Sequence, residues 1–322
     1  MKRLRRFQSC GIQEHGCQLA FSLIKRRLSL KRLGRVNSGT ALCAWVALSV
    51  AIPACGARTI TDELGRTVIV PEHPHRLVCL MPSVVDDVYA LGAGGDIVAV
   101  TDFVKYPAAA KTKRSVGTPL APSIETIVSL HPDLVLEDAD MSDTETMTSL
   151  QQLGIAVFMV APHGVEGIYK SLASLGRVLN REDSAQNLIA GLRSREAAVR
   201  RRVSGKPVVR VLMPVGFDPV ITIGKPAFIT ELIEIAGGHS VTGNLPLEWQ
   251  QVSMEAVLAW APEALVLVRS TRMSTEQIRG RPVWANLPAV KDNRIYFVDD
   301  RIELPSPVAF DALEELAREF HP

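Results

Sequence analysis

The sequence predicts an α/β protein made of two lobes with mostly parallel β-sheets, joined by a single long helix. Three observations support this fold class. One helix–proline–strand unit occurs twice, about 130 residues apart. Short apolar runs alternate with helical patterns in both halves of the chain. Between the halves lies one long helical stretch, at residues 181–204.

The repeated unit covers residues 123–136 and residues 253–267. In both copies a Ser lies two residues before a Glu, at Glu125 and Glu255. A Pro follows seven residues after each Glu, then an acidic residue, and then an apolar run. This order predicts a short capped helix, a proline that ends it, and a buried strand. Two such units favour two similar lobes.

The first lobe is expected at residues 58–180. It starts with a short edge strand at 65–71 that leads into a proline-rich connection. Strands and helices then alternate, which predicts parallel strands with crossover helices on both faces, a Rossmann-like arrangement. The predicted strands lie at 77–81, 96–100, 133–136 and 156–160, and the helices at 84–92, 123–130, 142–153 and 165–178.

A spanning helix is expected at residues 181–205, and the second lobe at 206–322. The helical stretch is rich in Ala, Leu, Glu and Arg and ends in three arginines before Gly205. Cations at a helix C-terminus suit the negative pole of its dipole. One stiff connection predicts that the lobes close only slightly on a ligand. The second lobe's strands are predicted at 208–213, 219–223, 264–268 and 295–298, and its helices at 227–236, 253–261 and 305–319.

Residues 1–57 have the pattern of an export signal with a long basic leader. Basic residues reach to Arg35, and an apolar stretch of 14 residues then precedes Cys55. That stretch suits a signal sequence and is too short for a membrane span. The residues before Cys55 resemble a bacterial lipobox, which predicts lipidation of this cysteine. Cleavage without lipidation, near Ala57, is the alternative.

Charge and cysteine content exclude other classes. The leader up to residue 55 holds ten of the 36 basic residues and one of the 34 acids. The rest of the chain therefore carries a net charge of about −7, and a basic face for nucleic acid is not expected. Cys79, inside an apolar run, is the one cysteine after residue 55. No disulfide framework or metal cluster is expected from it.

Several short stretches, in order, are similar to one protein family. They are RLVCLMPS at 76–83, YALG at 89–92, YPAAAK at 106–111, VG at 116–117, SIETIVSLHPDLVL at 123–136, GG at 237–238, the segment 249–262 that begins WQQVS, and NLPAVK at 286–291. The chain resembles the substrate-binding proteins of ABC importers for cobalamin, ferric siderophores and haem. The resemblance implies two lobes joined by one helix, no catalysis, no cofactor, a monomer, and a membrane permease as partner.

For Glu125 and Glu255, the resemblance implies a docking role. Acidic residues at these positions in the family contact arginines of the permease. The alternative is that each Glu only stabilises the dipole of its helix, by about 0.3–1 kcal/mol. Helix stabilisation alone does not require Glu at the same position of both repeats, so docking is favoured.

The ligand cleft is expected at the carboxyl ends of the strands in both lobes. Tyr106 and Trp249 match positions where cobalamin-binding members place aromatic walls, and aromatic rings suit a bulky planar ligand. Arg forks favour carboxylates and catecholates, which would suit anionic siderophores or haem. Cobalamin is the first choice, with a ferric siderophore or haem as the alternative. The expected ligand-binding residues are Ser83, Tyr106, Phe217, Trp249, Arg269 and Arg301.

Two other functions stay open from the residues alone. An exported two-lobed enzyme would use the same cleft, but no nucleophile elbow, His-Glu-x-x-His or other recognised catalytic spacing is present. A zinc- or manganese-binding relative would need several His and carboxylate groups in the cleft. His163 is the one imidazole among the cleft candidates, so no metal site is predicted.

Overall fold

The computed structural model describes residues 56–140 and 142–322. The predicted leader and the lipidation site at Cys55 lie outside the described residues. The described chain begins at the first strand, and that strand starts at Ala57.

The first lobe is built on a parallel sheet. In chain order its elements are β1 (Ala57–Thr61), β2 (Thr67–Pro71), β3 (Leu77–Cys79), α1 (Pro82–Ala90), β4 (Ile97–Val100), β5 (Arg114–Ser115), β6 (Gly117–Thr118), β7 (Ala121–Pro122), α2 (Ile124–Ser129), β8 (Leu134–Asp138), α3 (Thr144–Gln152), β9 (Val157–Val160) and α4 (Gly164–Leu179). Within the described residues the parallel sheet has the strand order β5-β4-β3-β8-β9. The predicted edge strand is β2, which pairs with β1 in an antiparallel hairpin.

A long helix and a second parallel sheet complete the fold. The elements are α5 (Glu182–Val203), β10 (Val209–Leu212), β11 (Pro214–Phe217), β12 (Val220–Ile223), α6 (Phe228–Ile235), β13 (Gly238–Ser240), β14 (Trp249–Val252), α7 (Met254–Trp260), β15 (Ala264–Val268), α8 (Thr275–Arg279), α9 (Pro288–Lys291), β16 (Ile295–Val298) and α10 (Ala309–Phe320). In the described part of the chain, the parallel sheet has the order β13-β10-β15-β16. Strands β11, β12 and β14 form a small antiparallel sheet beside it.

The helix α5 connects the lobes and contacts both. Its buried residues Ala185, Leu192 and Val199 recur every seven positions, as expected of one packed face. On the first lobe, the Glu196 carboxylate accepts a 2.8 Å hydrogen bond from the hydroxyl of Tyr169 in α4. On the second lobe, Arg195 forms 2.6 Å ion pairs with two acids of α10. The predicted spanning helix is therefore fixed to both bodies.

The repeated unit of the sequence is also repeated in three dimensions. The hydroxyls of Ser123 and Ser253 cap α2 and α7 by accepting from the backbone N–H three residues on, each at 3.2 Å. Such a cap stabilises a helix by about 1 kcal/mol. Each helix buries the residue four positions after its serine, Ile127 in α2 and Val257 in α7. The capped helices thus pack on their sheets in the same register.

The match extends to the chain around the two helices. After α2 the backbone turns left-handed at His131, with φ 46°, and after α7 it does so at Ala261, with φ 43°. Arg76 and Arg210, near the first strand of each sheet, donate to the last carbonyls of α2 and α7. These arginines satisfy helix ends that lack intrahelical partners. The two lobes therefore have the same local structure around α2 and α7.

Candidate functional site

A cavity of about 440 Å³ lies where the carboxyl ends of the two parallel sheets face each other. Half of its lining follows β3 and β4 in the first lobe, and half follows β15 and β16 in the second. This is the position predicted for the ligand cleft. The lining residues are Pro82, Asp102, Phe103, Lys105, Tyr106, Ser270, Asp300, Arg301, Glu303 and Leu304.

Tyr106 and Arg301 meet across this cavity. The guanidinium carbon of Arg301 lies 5.6 Å from the centre of the Tyr106 ring, within the range of a cation–π contact. The ammonium of Lys111 is also 5.6 Å from the ring centre, on a residue of the same lobe as Tyr106. Tyr106 remains 49% exposed, so about half of its surface is available to a ligand. Both residues were predicted for the site, and the structure brings them together.

Two arginines of the second lobe, Arg301 and Arg269, are paired with acids of their own lobe. Arg301 donates from Nε to Oδ1 of Asp299 at 2.9 Å. This contact lowers the pKa of the Asp299 carboxyl and raises that of the guanidinium. Arg269 forms an ion pair with Glu315 and lies 4.0 Å from Asp299. Arg269 itself is next to the lining residue Ser270 rather than in the lining.

Buried acids lie behind the cavity in the first lobe. Burial raises the pKa of Asp86, in α1, to about 6, although Arg301 acts in the opposite direction. Burial also raises the pKa of Asp138 to about 6 and that of Glu137 to about 8, and places the pKa of Asp87 well above its usual range. Glu137 and Asp138 are the last two residues of β8, and Asp86 and Asp87 lie in the middle of α1.

The other predicted ligand-binding residues have different surroundings. Among the described residues, the Ser83 hydroxyl is buried and has no hydrogen-bond partner. Trp249 is 43% exposed on β14. Phe217 packs on Trp284 with ring centres 4.8 Å apart, in a separate cavity of about 400 Å³ on the second lobe. Within the part of the chain that the structure describes, the lining of the interlobe cavity excludes these three residues.

Four lining residues were missed from the sequence: Phe103, Lys105, Glu303 and Leu304. Each lies within six residues of the end of β4 or β16. Their position just beyond a strand end was the available signal. The loops that follow β4 and β16 continue along the cavity wall beyond the strand ends.

The lobes also contact each other near His163. Its Nδ1 lies 3.2 Å from Asp140, a residue of the same lobe. The carboxylate of Glu248, from the second lobe, is close enough for Asp140 to contribute to its raised pKa, although burial is the larger cause. In the described residues these side chains do not form a group of three or more that could hold a metal ion.

Glu125 and Glu255 are exposed in the first turns of α2 and α7. A crossover helix runs antiparallel to the strands it connects, so both helix starts lie at the carboxyl edges of their sheets. The cavity lies at the same edges. The structure therefore gives the two carboxylates equivalent positions in the two lobes, with solvent access.

Comparison with known proteins identifies the family of this chain. The model of the family described as periplasmic binding protein matches residues 77–302. The chain belongs to the periplasmic binding protein family. Within the described residues, no helix combines the length and the hydrophobicity needed to cross a membrane.

Curated relatives cover most of the chain. An ABC transporter substrate-binding lipoprotein of Bacillus subtilis, YvrC, is 29% identical over 272 residues, 82% of this chain and 85% of the relative. A protein named vitamin B12-binding protein from Vibrio parahaemolyticus is 26% identical over 251 residues, 77% of this chain and 90% of the relative. A cobalamin-binding protein of Halobacterium salinarum is 28% identical over 273 residues, 82% of this chain and 74% of the relative.

Solved structures share the fold. The haem-binding protein RhuT of Roseiflexus has a TM-score of 0.71 at 24% identity, covering 77% of this chain and 98% of that chain. The vitamin B12-binding protein BtuF of Vibrio cholerae has a TM-score of 0.68 at 23% identity, covering 76% and 96%. Together with the family match, they confirm the two-lobed α/β fold and the interpretation as a substrate-binding protein of an ABC importer. The enzyme alternative is set aside by the same match.

Proposed function

We propose that this protein captures cobalamin in the cavity between its lobes and delivers it to the permease of an ABC importer. The observation that carries the proposal is the cavity itself. It is lined by residues of both lobes, has the Tyr106 ring on one wall, and has its one wall arginine already paired with an acid. Such a site suits a large ligand that binds by ring contact and carries little net charge.

The apolar part of the wall supports a bulky ligand. Phe103 and Tyr106 follow β4, are 57% and 49% exposed, and face a cavity that Leu304 lines from the other lobe. Aromatic side chains bury much surface and lose little conformational entropy. Trp249 belongs to the proposed site as a flanking aromatic residue. We propose Ser83 as a supporting residue of the first lobe, whereas Phe217 lines the separate cavity of the second lobe and is left out of the proposed site.

The charged part of the wall favours cobalamin over the alternatives. Asp102, Asp300 and Glu303 outnumber the cations Lys105 and Arg301 among the lining residues. An anionic siderophore or the propionates of haem would meet repulsion there, and would compete with Asp299 for Arg301. His163 lies outside the lining and is 3.2 Å from Asp140. A ferric siderophore or haem is therefore the second choice.

The relatives support the same ranking without deciding it. Two of the curated relatives described above are named for vitamin B12 or cobalamin. Of the two solved structures described above, one is named for haem and one for vitamin B12. The ranking therefore depends on the charges and rings of this chain's own cavity.

Delivery requires a contact with the permease, and we propose Glu125 and Glu255 for it. They are exposed carboxylates at equivalent positions of the two lobes. A permease surface with two arginine sites would bind them through charge-assisted hydrogen bonds. We further propose a monomer that is exported to the cell envelope and anchored by a lipid on Cys55. A relative named as a lipoprotein agrees with the anchor.

The test is an equilibrium titration of the purified protein with cyanocobalamin, followed by tryptophan fluorescence. We expect saturable quenching, and an affinity reduced by about tenfold in Tyr106→Ala, because a central aromatic contact is lost. Leu153→Ala is the matched control, since Leu153 is an apolar residue, 58% exposed, just after α3. Quenching by haemin and none by cyanocobalamin would replace cobalamin with the alternative ligand class.

A further inference from the structure

We propose that Asp299 determines the charge selectivity of the interlobe cavity. By holding Arg301 and Arg269 in ion pairs, it makes the cavity accept weakly charged chelates and reject anionic ones. This inference rests on the proposed function, because it takes the interlobe cavity as the ligand site. It assigns a selectivity role to a residue that lies behind the cavity wall.

Asp299 follows β16 directly and uses both carboxylate oxygens on one arginine. Oδ1 accepts from Nε of Arg301 at 2.9 Å and from its backbone N–H at 3.0 Å. Oδ2 accepts from Nη2 at 3.4 Å. Paired contacts of this kind fix the plane of a guanidinium as well as its charge. Arg301 is thus held in place before any ligand arrives.

The same carboxylate also reaches the second arginine. Oδ2 of Asp299 lies 4.0 Å from Nη1 of Arg269, and Arg269 is paired with Glu315. Oδ2 of Asp311 lies 3.9 Å from Nη1 of Arg301. Asp299 is therefore the acid that the two arginines share, and its charge offsets part of the positive potential they would give the cavity.

An anionic ligand must compete with Asp299 for Arg301. A carboxylate or catecholate could bind Arg301 only by displacing Asp299, which would leave that acid without its partner. A ligand without net charge needs no such exchange and can contact the guanidinium plane and the Tyr106 ring as they stand. The selectivity therefore acts through Arg301, and Asp299 is a positioning residue.

A neighbouring acid provides a matched comparison. Asp300 lines the cavity and accepts a 2.8 Å hydrogen bond from the backbone N–H of Ser270. Among the described residues it forms no ion pair with an arginine. Asp299→Asn and Asp300→Asn remove the same charge within one residue of each other, but only the first change removes the charge of the carboxylate that holds Arg301. Asparagine at 299 keeps an oxygen for the Arg301 N–H, so the local fold is retained.

The experiment measures haemin and cyanocobalamin affinity for the wild type, Asp299→Asn, Asp300→Asn and the double variant Asp299→Asn/Arg301→Gln. Haemin serves as the anionic probe because it carries two propionates. We expect Asp299→Asn to bind haemin about tenfold more tightly, and Asp300→Asn to gain less than about threefold. The gain should vanish in the double variant and shrink as salt rises from about 0.05 to 0.5 M. A thermal melt of each variant checks its fold.

The outcomes separate this inference from the proposed function. A haemin gain in Asp299→Asn that needs Arg301 supports the inference, even if no form of the protein binds cyanocobalamin. In that case cobalamin is ruled out as the ligand, and the selectivity role of Asp299 is still supported. Equal haemin affinity of the wild type and Asp299→Asn overturns the inference, even if cyanocobalamin binds tightly. Equal gains in Asp299→Asn and Asp300→Asn also overturn it, since net charge alone would then explain them.

Discussion

The carboxylate of Glu231 in the second lobe accepts a 2.7 Å hydrogen bond from the backbone N–H of Val165 in the first lobe. Val165 lies in the first turn of α4, where backbone N–H groups lack partners within the helix. Among the described residues, the N-cap position, His163, supplies no side-chain cap to this helix. Glu231 therefore caps a helix of the opposite lobe and adds a link beside α5.

Removing this link should loosen α4 at its start. In Glu231→Ala, we expect the Val165 amide to exchange with solvent about tenfold faster, because a charge-assisted hydrogen bond is lost. Glu231→Gln should keep part of the protection, since its side-chain oxygen still accepts. Hydrogen exchange read by NMR measures this amide directly. Glu234→Ala is the control, because Glu234 lies on the same helix and pairs with His239 instead. Unchanged Val165 exchange in Glu231→Ala would disprove the link.

Gly164 is required by the same contact. Its φ is +67°, and a Cβ built there would lie 2.6 Å from Oε2 of Glu231. We expect Gly164→Ala to lower the free energy of unfolding by about 1–3 kcal/mol, through backbone strain and this clash. In the Glu231→Ala background the cost should be smaller, so the two changes are not additive.

The control for that substitution is Gly191→Ala, in α5, where a Cβ would meet no atom within 4 Å. It should stabilise the helix by up to about 1 kcal/mol. Urea unfolding of the four variants gives both comparisons. Full additivity of Gly164→Ala and Glu231→Ala would show that the clash has no effect on stability.

Substitution of Glu125 and Glu255 should weaken docking to the permease without weakening ligand binding. Glu125→Gln with Glu255→Gln should leave cyanocobalamin affinity within about twofold of wild type and reduce permease-dependent uptake by about tenfold or more. Glu145→Gln is the matched control, because Glu145 is an exposed acid in the first turn of α3 and lies outside the repeat. If uptake falls equally in Glu145→Gln, the loss would come from reduced helix stability rather than from a lost contact with the permease.

Stability should fall as pH rises. The folded-state pKa values of Asp86 and Asp138 are near 6 and that of Glu137 is near 8, whereas acids in an unfolded chain titrate near 4. The unfolded chain therefore releases these protons first, and the stabilisation present below about pH 4 is lost progressively up to about pH 8. Urea unfolding at a series of pH values measures this slope. Glu137→Gln should make stability depend less on pH in the upper part of this range. An unchanged pH dependence in that variant would contradict the raised pKa of Glu137.

The repeat was enough to predict much of the fold. Capping serines, a proline seven residues after each Glu and an apolar run are local signals, and they predicted α2, α7 and the strands after them. The long helix was predicted within two residues of its ends, because the stretch is rich in the strong helix formers Ala, Leu, Glu and Arg and holds one Gly and no Pro. Seven short strands were missed, since short strands that pair in a sheet depend on their neighbours more than on their own sequence. They are β1, β5, β6, β7, β11, β13 and β14.

Fewer features of the site than of the fold could be predicted from the sequence. Tyr106 and Arg301 follow strand ends, and the topology brings such ends together. Asp299 was not singled out, because its role depends on two arginines that are 2 and 30 positions away along the chain. The packing of Phe217 on Trp284 likewise depends on the tertiary fold. Ion pairs and aromatic contacts between distant positions leave no periodic signal in the sequence.

The most direct test of the account is a crystal structure of the protein bound to cyanocobalamin. We predict the ligand between the lobes, with its ring system against Tyr106 and with Leu304 in contact from the second lobe. Arg301 should remain paired with Asp299 in the complex. A ligand seated on one lobe alone, for example in the cavity beside Phe217 and Trp284, would contradict the central claim.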